Sequence, residues 1–202
     1  MSVSQQTSGP DPEIRVLRTV ILLRHGQHNQ AEPNQVGGLT ELGRRQVAFA
    51  AERLAREPID RIVASEFPRA QQTAGEIARH HPSLTVETDA NLCECVPSVP
   101  LGLEFCFPDG IEAPQTAACR ECLDRAYARY FESDSVRATL LVGHGNAFRY
   151  LLCRVLAVRI DAWARFDMHN CGISRIAFKS LIGAQITVND TGHLPTQMLT
   201  YG

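Results

Sequence analysis

Three apolar stretches of this chain each stop abruptly at a basic or hydroxyl-bearing residue, and that pattern constrains the fold most. Arg15 to Leu23 (RVLRTVILL) runs into Arg24-His25-Gly26. Arg61 to Ser65 (RIVAS) leads to Pro68-Arg69, and Ala138 to Val142 (ATLLV) ends at Gly143-His144-Gly145. Their length and β-branched content predict buried strands. Helical spacing fills the intervals. Thr40 to Glu57 has Val47, Ala50, Ala51 and Leu54 on one face, Thr40 as N-cap and Pro58 as stop. Further helices are expected at Arg69 to about His80, Gln115 to Phe131 and Asn146 to Val158. Ser83 to Glu87 reads as a third strand in chain order, and Ile173 to Phe178 and Ala184 to Val188 as terminal strands.

Alternating strands and helices predict an α/β fold, a three-layer sandwich with a largely parallel central sheet flanked by helices. Residues 1–12 offer little apolar surface and read as a disordered tail. Residues 13–202 read as a single domain carrying a Pro-rich insertion at about 91–114. In such sheets ligands bind at the carboxyl ends of strands. The three abrupt ends therefore converge Arg24, His25, Arg69 and His144 on one place.

Two imidazoles and two guanidiniums at one point suit a phosphoryl group. Arg24 and Arg69 match pairs of phosphate oxygens. The backbone N–H groups of Gly145 and Asn146, at a helix start, add an anion site. His25 is a competent nucleophile toward phosphorus. His144, when protonated, would stabilise charge developing on a non-bridging oxygen. A departing alkoxide needs a proton, and Glu94 in the insertion is the candidate donor, with Glu104, Asp109 and Glu112 as competitors. Each of these residues alone is more often a solvated or core group; only the convergence is informative.

The same residues carry a family resemblance. Ile21-Leu22-Leu23-Arg24-His25-Gly26-Gln27, the Ser65 to Thr73 stretch (Ser, three residues, Arg-Ala, two residues, Thr) and Leu141 to Asn146 resemble, in order, the motifs of the histidine phosphatase superfamily, the phosphoglycerate-mutase-like fold. Leu39-Thr40-Glu41-Leu42-Gly43 resembles its Leu-Thr-x-x-Gly helix start. The resemblance implies His25 as the phosphorylated nucleophile, Arg24, Arg69 and His144 as the phosphate pocket, and Glu94 as proton donor. Leu92 to Pro100, Asn146 to Trp163 and Asp190-Thr191-Gly192 are similar to the branch containing a mitochondrial Ser/Thr protein phosphatase. Cys93 stands where that branch has Arg. Ala31 stands where many members have Asn, with Gln27 as a substitute polar contact.

The formal net charge of -2 predicts no general affinity for nucleic acid or anionic membranes. Residues 1–11 lack the pattern of a secretory signal, and Val20 to Leu23 is too short to span a bilayer. A soluble, cytoplasmic protein with reduced thiols is the expectation for the seven Cys. Zinc at Cys93-Glu94-Cys95 and Cys119-Arg120-Glu121-Cys122 would need all four sulfurs at one point, which spacing alone does not provide. His80-His81 suits a helix C-terminus better than a metal, and Arg154 and Arg159 suit a solvated face.

The function expected is hydrolysis of a phosphomonoester, small or on a protein, through a phosphohistidine, with no metal or other cofactor. A phosphoglycerate mutase would need a closing cover and extra anion contacts, whereas the Glu94–His144 linker offers only Arg120, Arg125, Arg129 and Arg137. A non-catalytic phosphate-recognition module would be marked by loss of His25 or Glu94, and both are present. The sequence leaves oligomeric state open, a homodimer among the states it allows.

Overall fold

The computed structural model describes residues 14–32, 37–111 and 113–201. The tail at 1–12 and Glu112 lie outside them. Six strands form one sheet: β1 (Val16–Arg24), β2 (Arg61–Ala64), β3 (Val86–Thr88), β4 (Ala138–Gly143), β5 (Ile173–Lys179) and β6 (Gly183–Asp190). Their order across the sheet is β3-β2-β4-β1-β5-β6. The first four run parallel, while β5 pairs antiparallel with β1 and β6 with β5.

Alternation along each strand builds the three layers. Ile21, Leu23, Ile62, Ala64, Leu140 and Val142 face one side. There they pack on α1 (Glu41–Leu54) and α2 (Pro68–Ala78). Val20, Leu22, Val63 and Leu141 face the other side, against α3 (Ala113–Tyr127) and α4 (Gly145–Val155). Strands buried on both faces explain the unbroken apolar runs.

Thr40 caps α1 as expected, its hydroxyl accepting from the Gly43 N–H at 3.0 Å. The helix ends at Leu54, ahead of Pro58. A π-turn at Ala128–Glu132 closes the segment read as one helix to Phe131. The insertion holds two short 3-10 turns, Ala90–Leu92 and Glu104–Cys106.

Register sets the site. Arg24 aligns with Gly143 across β1 and β4, and Ala64 with Val142 across β2 and β4. His25, Ser65 and His144 therefore leave three adjacent strands at one level, with the loop after β3 beside them.

Candidate active site

His25 is buried, and its Nδ1 lies 2.7 Å from the Gly26 carbonyl oxygen. A carbonyl only accepts, so Nδ1 carries the proton and Nε2 presents its lone pair. Arg69 Nε donates to that Nε2 at 3.2 Å. Burial and the surrounding cations push the His25 imidazole well below its ordinary range, which keeps it neutral.

The Gly after His25 is needed for close approach. A Cβ on Gly26 would lie 2.7 Å from the Gly43 carbonyl oxygen, so no side chain fits between the His25 loop and α1. Its φ is not positive, so close approach and not backbone conformation selects glycine here. Gly43 in turn abuts the Gln27 backbone.

Arg69 sits in the first turn of α2 and is buried. A cation is electrostatically misplaced at a helix N-terminus, so local helix energetics do not account for its position. Arg24 is buried too; desolvation lowers it to about 10, opposed by Glu94, and it stays charged at neutral pH. Its Nη1 donates to the Met168 carbonyl.

His144 lies beside His25, with ring centroids 5.1 Å apart, and its Nε2 is 2.8 Å from Ser65 Oγ. Burial and the Arg69 and Arg24 charges lower it well below the ordinary imidazole range. The second imidazole is thus neutral beside these two cations, not protonated. An anionic phosphate would work against those cations.

Glu94 Oε2 is 3.7 Å from His144 Nδ1. Desolvation raises the Glu94 carboxyl to about 7, with Arg24, Arg69 and the Asn146 N–H pulling the other way. Glu94 Oε1, His144 Nδ1 and Arg24 Nε are buried without a hydrogen-bond partner among the described residues. Unsatisfied buried polar groups are costly, and here they border one cleft.

That cleft has a volume of about 310 Å³ and is lined by Arg24, His25, Arg69, Glu94, Gly145 and Asn146. All the expected site residues thus meet, His144 lying just behind the wall. His28, Gln30 and Arg149 also line it and were missed. Arg149 is one helical turn beyond Asn146 and donates to Asn146 Oδ1 at 3.3 Å and to the Phe166 carbonyl at 2.8 Å. Helix phase at α4 was the available signal. Gln27 does not reach the cleft; its Oε1 accepts from the Thr40 hydroxyl at 2.7 Å. Of the competing acids, Glu104 is exposed and accepts from the Gly102 N–H. Asp109 is absent from the cleft lining.

A family model described as the histidine phosphatase superfamily (branch 1) matches residues 20–99 and 108–191. The chain belongs to that superfamily. The mitochondrial serine/threonine-protein phosphatase Pgam5 of Drosophila grimshawi is 32% identical over 198 residues, covering 91% of this chain and 66% of that protein. The Drosophila ananassae protein of the same name is 32% identical over 203 residues, with the same coverages. The chain therefore spans about two thirds of the length of these relatives.

Among solved structures, the alpha-ribazole phosphatase from Shigella flexneri superposes with a TM-score of 0.69 at 20% identity, over 85% of this chain and 96% of that one. A mycobacterial glucosyl-3-phosphoglycerate phosphatase in complex with inorganic phosphate gives 0.63 at 22% identity, over 88% and 100%. These likenesses fix the fold.

Two expectations are corrected for this superfamily member. The cytoplasmic assignment does not stand, because the relatives at 32% identity are named as mitochondrial. Fully reduced thiols do not stand either: Cys95 and Cys119 form a disulfide. The loop after β3 lies on α3, bringing the two Cys pairs together. No helix among the described residues is long and apolar enough to cross a membrane. Arg159 is an exposed partner of Asp161, but Arg154 packs over the Tyr127 ring and pairs with Asp124 rather than facing solvent alone.

Proposed function

We propose that this protein hydrolyses phosphomonoesters through a phosphohistidine on His25. The observation that carries the reading is the His25 tautomer: Nδ1 is committed to the Gly26 carbonyl, and Nε2 faces a cleft holding Arg24, Arg69 and Glu94.

In the first step His25 Nε2 attacks phosphorus in line. The P–O bond to the leaving group breaks, and the Glu94 carboxyl gives that oxygen its proton. Arg24 and Arg69 hold the non-bridging oxygens, with Arg149 at the cleft edge. In the second step the Glu94 carboxylate takes a proton from water, whose oxygen attacks phosphorus. The N–P bond breaks, and inorganic phosphate leaves. The relatives' names include a serine/threonine-protein phosphatase, and a phosphoserine or phosphothreonine side chain fits the need for a protonated leaving oxygen. A small phosphoester fits the same chemistry.

Hydrolysis is favoured over a mutase reaction because two cations of the Glu94–His144 linker are engaged elsewhere. Arg125 donates to Asn91 and Arg129 to Asp89. The test is turnover of an aryl phosphate with a chelator present, by wild type and His25→Ala, together with trapping of an acid-labile, base-stable phosphoenzyme. Turnover by His25→Ala at the wild-type rate sinks the proposal.

A further inference from the structure

Four cysteines outside the cleft converge around the acid loop. Cys93 and Cys95 flank Glu94, while Cys119 and Cys122 sit one turn apart on α3. Cys95 is bonded to Cys119. Cys93 Sγ lies 2.9 Å from Cys122 Sγ and 3.9 Å from Cys95 Sγ. Zinc does not fit this arrangement. Sulfurs around a tetrahedral zinc ion sit about 3.8 Å apart, given a Zn–S bond of about 2.3 Å, and all four must be thiolates. Here one pair is already bonded and the other is too close. Among the described residues, no group of His, Cys, Asp and Glu is arranged to hold a metal ion.

We propose that Cys93 and Cys122 close a second disulfide beside Cys95–Cys119, and that the two bridges act as a thiol–disulfide switch holding Glu94 in the cleft. The functional half of this rests on the reading of Glu94 as the proton donor. With both neighbours of Glu94 tied to one face of α3, the carboxyl has little freedom to leave its place near His144. With both bridges reduced, the loop keeps only noncovalent anchors, such as Cys122 against the Ala90 carbonyl and Arg125 against Asn91.

The chemistry balances with a peroxide as oxidant. Cys122 sulfur attacks one peroxide oxygen, the O–O bond breaks, and Cys122 becomes a sulfenic acid. Cys93 sulfur then displaces its hydroxyl. Two electrons pass from the sulfurs to the peroxide, and both thiol protons end in water. Burial and the neighbouring Cys122 push the Cys93 thiol up to about 12, which disfavours it as the group that first attacks peroxide and leaves that step to Cys122.

The full chain is treated with hydrogen peroxide or dithiothreitol, cleared of reagent, denatured, and its free thiols counted by alkylation and mass. Reduced protein should label at all seven Cys, and oxidised protein at three, since two bridges remove four. Five labels after oxidation would mean that Cys95–Cys119 stands alone, and would overturn the proposal. So would one zinc per chain retained by the reduced protein against a chelator. Oxidised wild type should hydrolyse an alkyl phosphate about tenfold faster than reduced, within the roughly 10²-fold that a misplacement of about 1 Å can cost. Cys93→Ser, which keeps the Cys95–Cys119 bridge for folding, should show a smaller response. Equal rates in oxidised and reduced wild type overturn the switch. Glu94→Gln separates the two readings: its thiol count should match wild type, while its redox response disappears. A Glu94→Gln variant as fast as wild type would instead remove Glu94 as the acid and leave the bridges to be judged by thiol count.

Discussion

Glu94 and His144 face each other across 3.7 Å, carboxylate oxygen to ring nitrogen, at the one point where a loop from the β3 edge meets the end of β4. The imidazole there is kept neutral and the carboxyl is raised to about 7. Burial pushes both groups away from charge, and a proton donor working at neutral pH needs that state.

The first consequence is kinetic. The kcat/KM for an alkyl phosphate should fall as pH rises above about 7, where Glu94 loses its proton. Glu94→Gln should be slower on that substrate by about 10²- to 10⁴-fold and should lack this limb. On a nitrophenyl phosphate, whose leaving group needs no proton, the loss should be much smaller. An unchanged pH limb in Glu94→Gln would argue that another group titrates.

The second is thermodynamic. The folded Glu94 carboxyl holds its proton up to about 7, against an ordinary value of 4.5. Between those values the native state binds more protons than the unfolded one, so this group lowers stability as pH rises and the loss is complete above about 7. The full effect is about 3 kcal/mol, reduced by water at the 24% of the side chain that stays exposed. Glu94→Gln should therefore gain Tm relative to wild type between pH 5 and pH 8. Parallel Tm curves for the two proteins would contradict this.

Gly26 and Gly43 supply a packing test. Gly43→Ala places a methyl against the Gln27 backbone, with no flexible side chain to yield. Overpacking of this kind costs about 1–3 kcal/mol, or a Tm drop of roughly 2–12 °C for a chain of this size. Gly75, in the interior of α2 with nothing within 4 Å of a built Cβ, is the control. Gly75→Ala should be neutral or stabilising by up to about 1 kcal/mol. Thermal melts of the two variants decide it.

Arg149 tests the cleft wall. Its guanidinium is anchored by Asn146 and the Phe166 carbonyl at the cleft edge. Arg149→Ala should lower kcat/KM by about 10- to 100-fold, mainly through KM, as expected for loss of a charge-assisted contact. Arg149→Lys should recover only part, because an ammonium cannot use the same fork. A fall in kcat alone would place Arg149 at the reacting atoms instead.

Much of the site was legible because strand ends are. Arg24, His25 and His144 lie at the ends of apolar runs and Arg69 in the helix turn that follows one, and a parallel sheet gathers such ends by its geometry. What escaped reading depends on contacts between distant segments. The antiparallel direction of β5 is invisible to a period-two pattern, which is the same either way along a strand. The Met168 and Phe166 carbonyls that orient Arg24 and Arg149 carry no side-chain signature. The meeting of Cys93 and Cys95 with Cys119 and Cys122 needed α3 to lie over the loop after β3, which spacing cannot state. Gln27 was read as a pocket group because its competing partner, Thr40, is thirteen residues away.

The support of His25 comes from far along the chain. Asn170 Nδ2 donates to the His25 carbonyl at 3.0 Å, the Cys171 N–H donates to the Arg24 carbonyl at 3.0 Å, and Arg24 reaches Met168. During synthesis, His25 leaves the ribosome some 145 residues before the segment that seats it. An emerging chain can pair β1 with β4 while these contacts are still missing. The enzyme should thus stay silent until the segment from Met168 to Cys171 has been made, and a product ending before Met168 should fold much of its sheet yet leave His25 unseated.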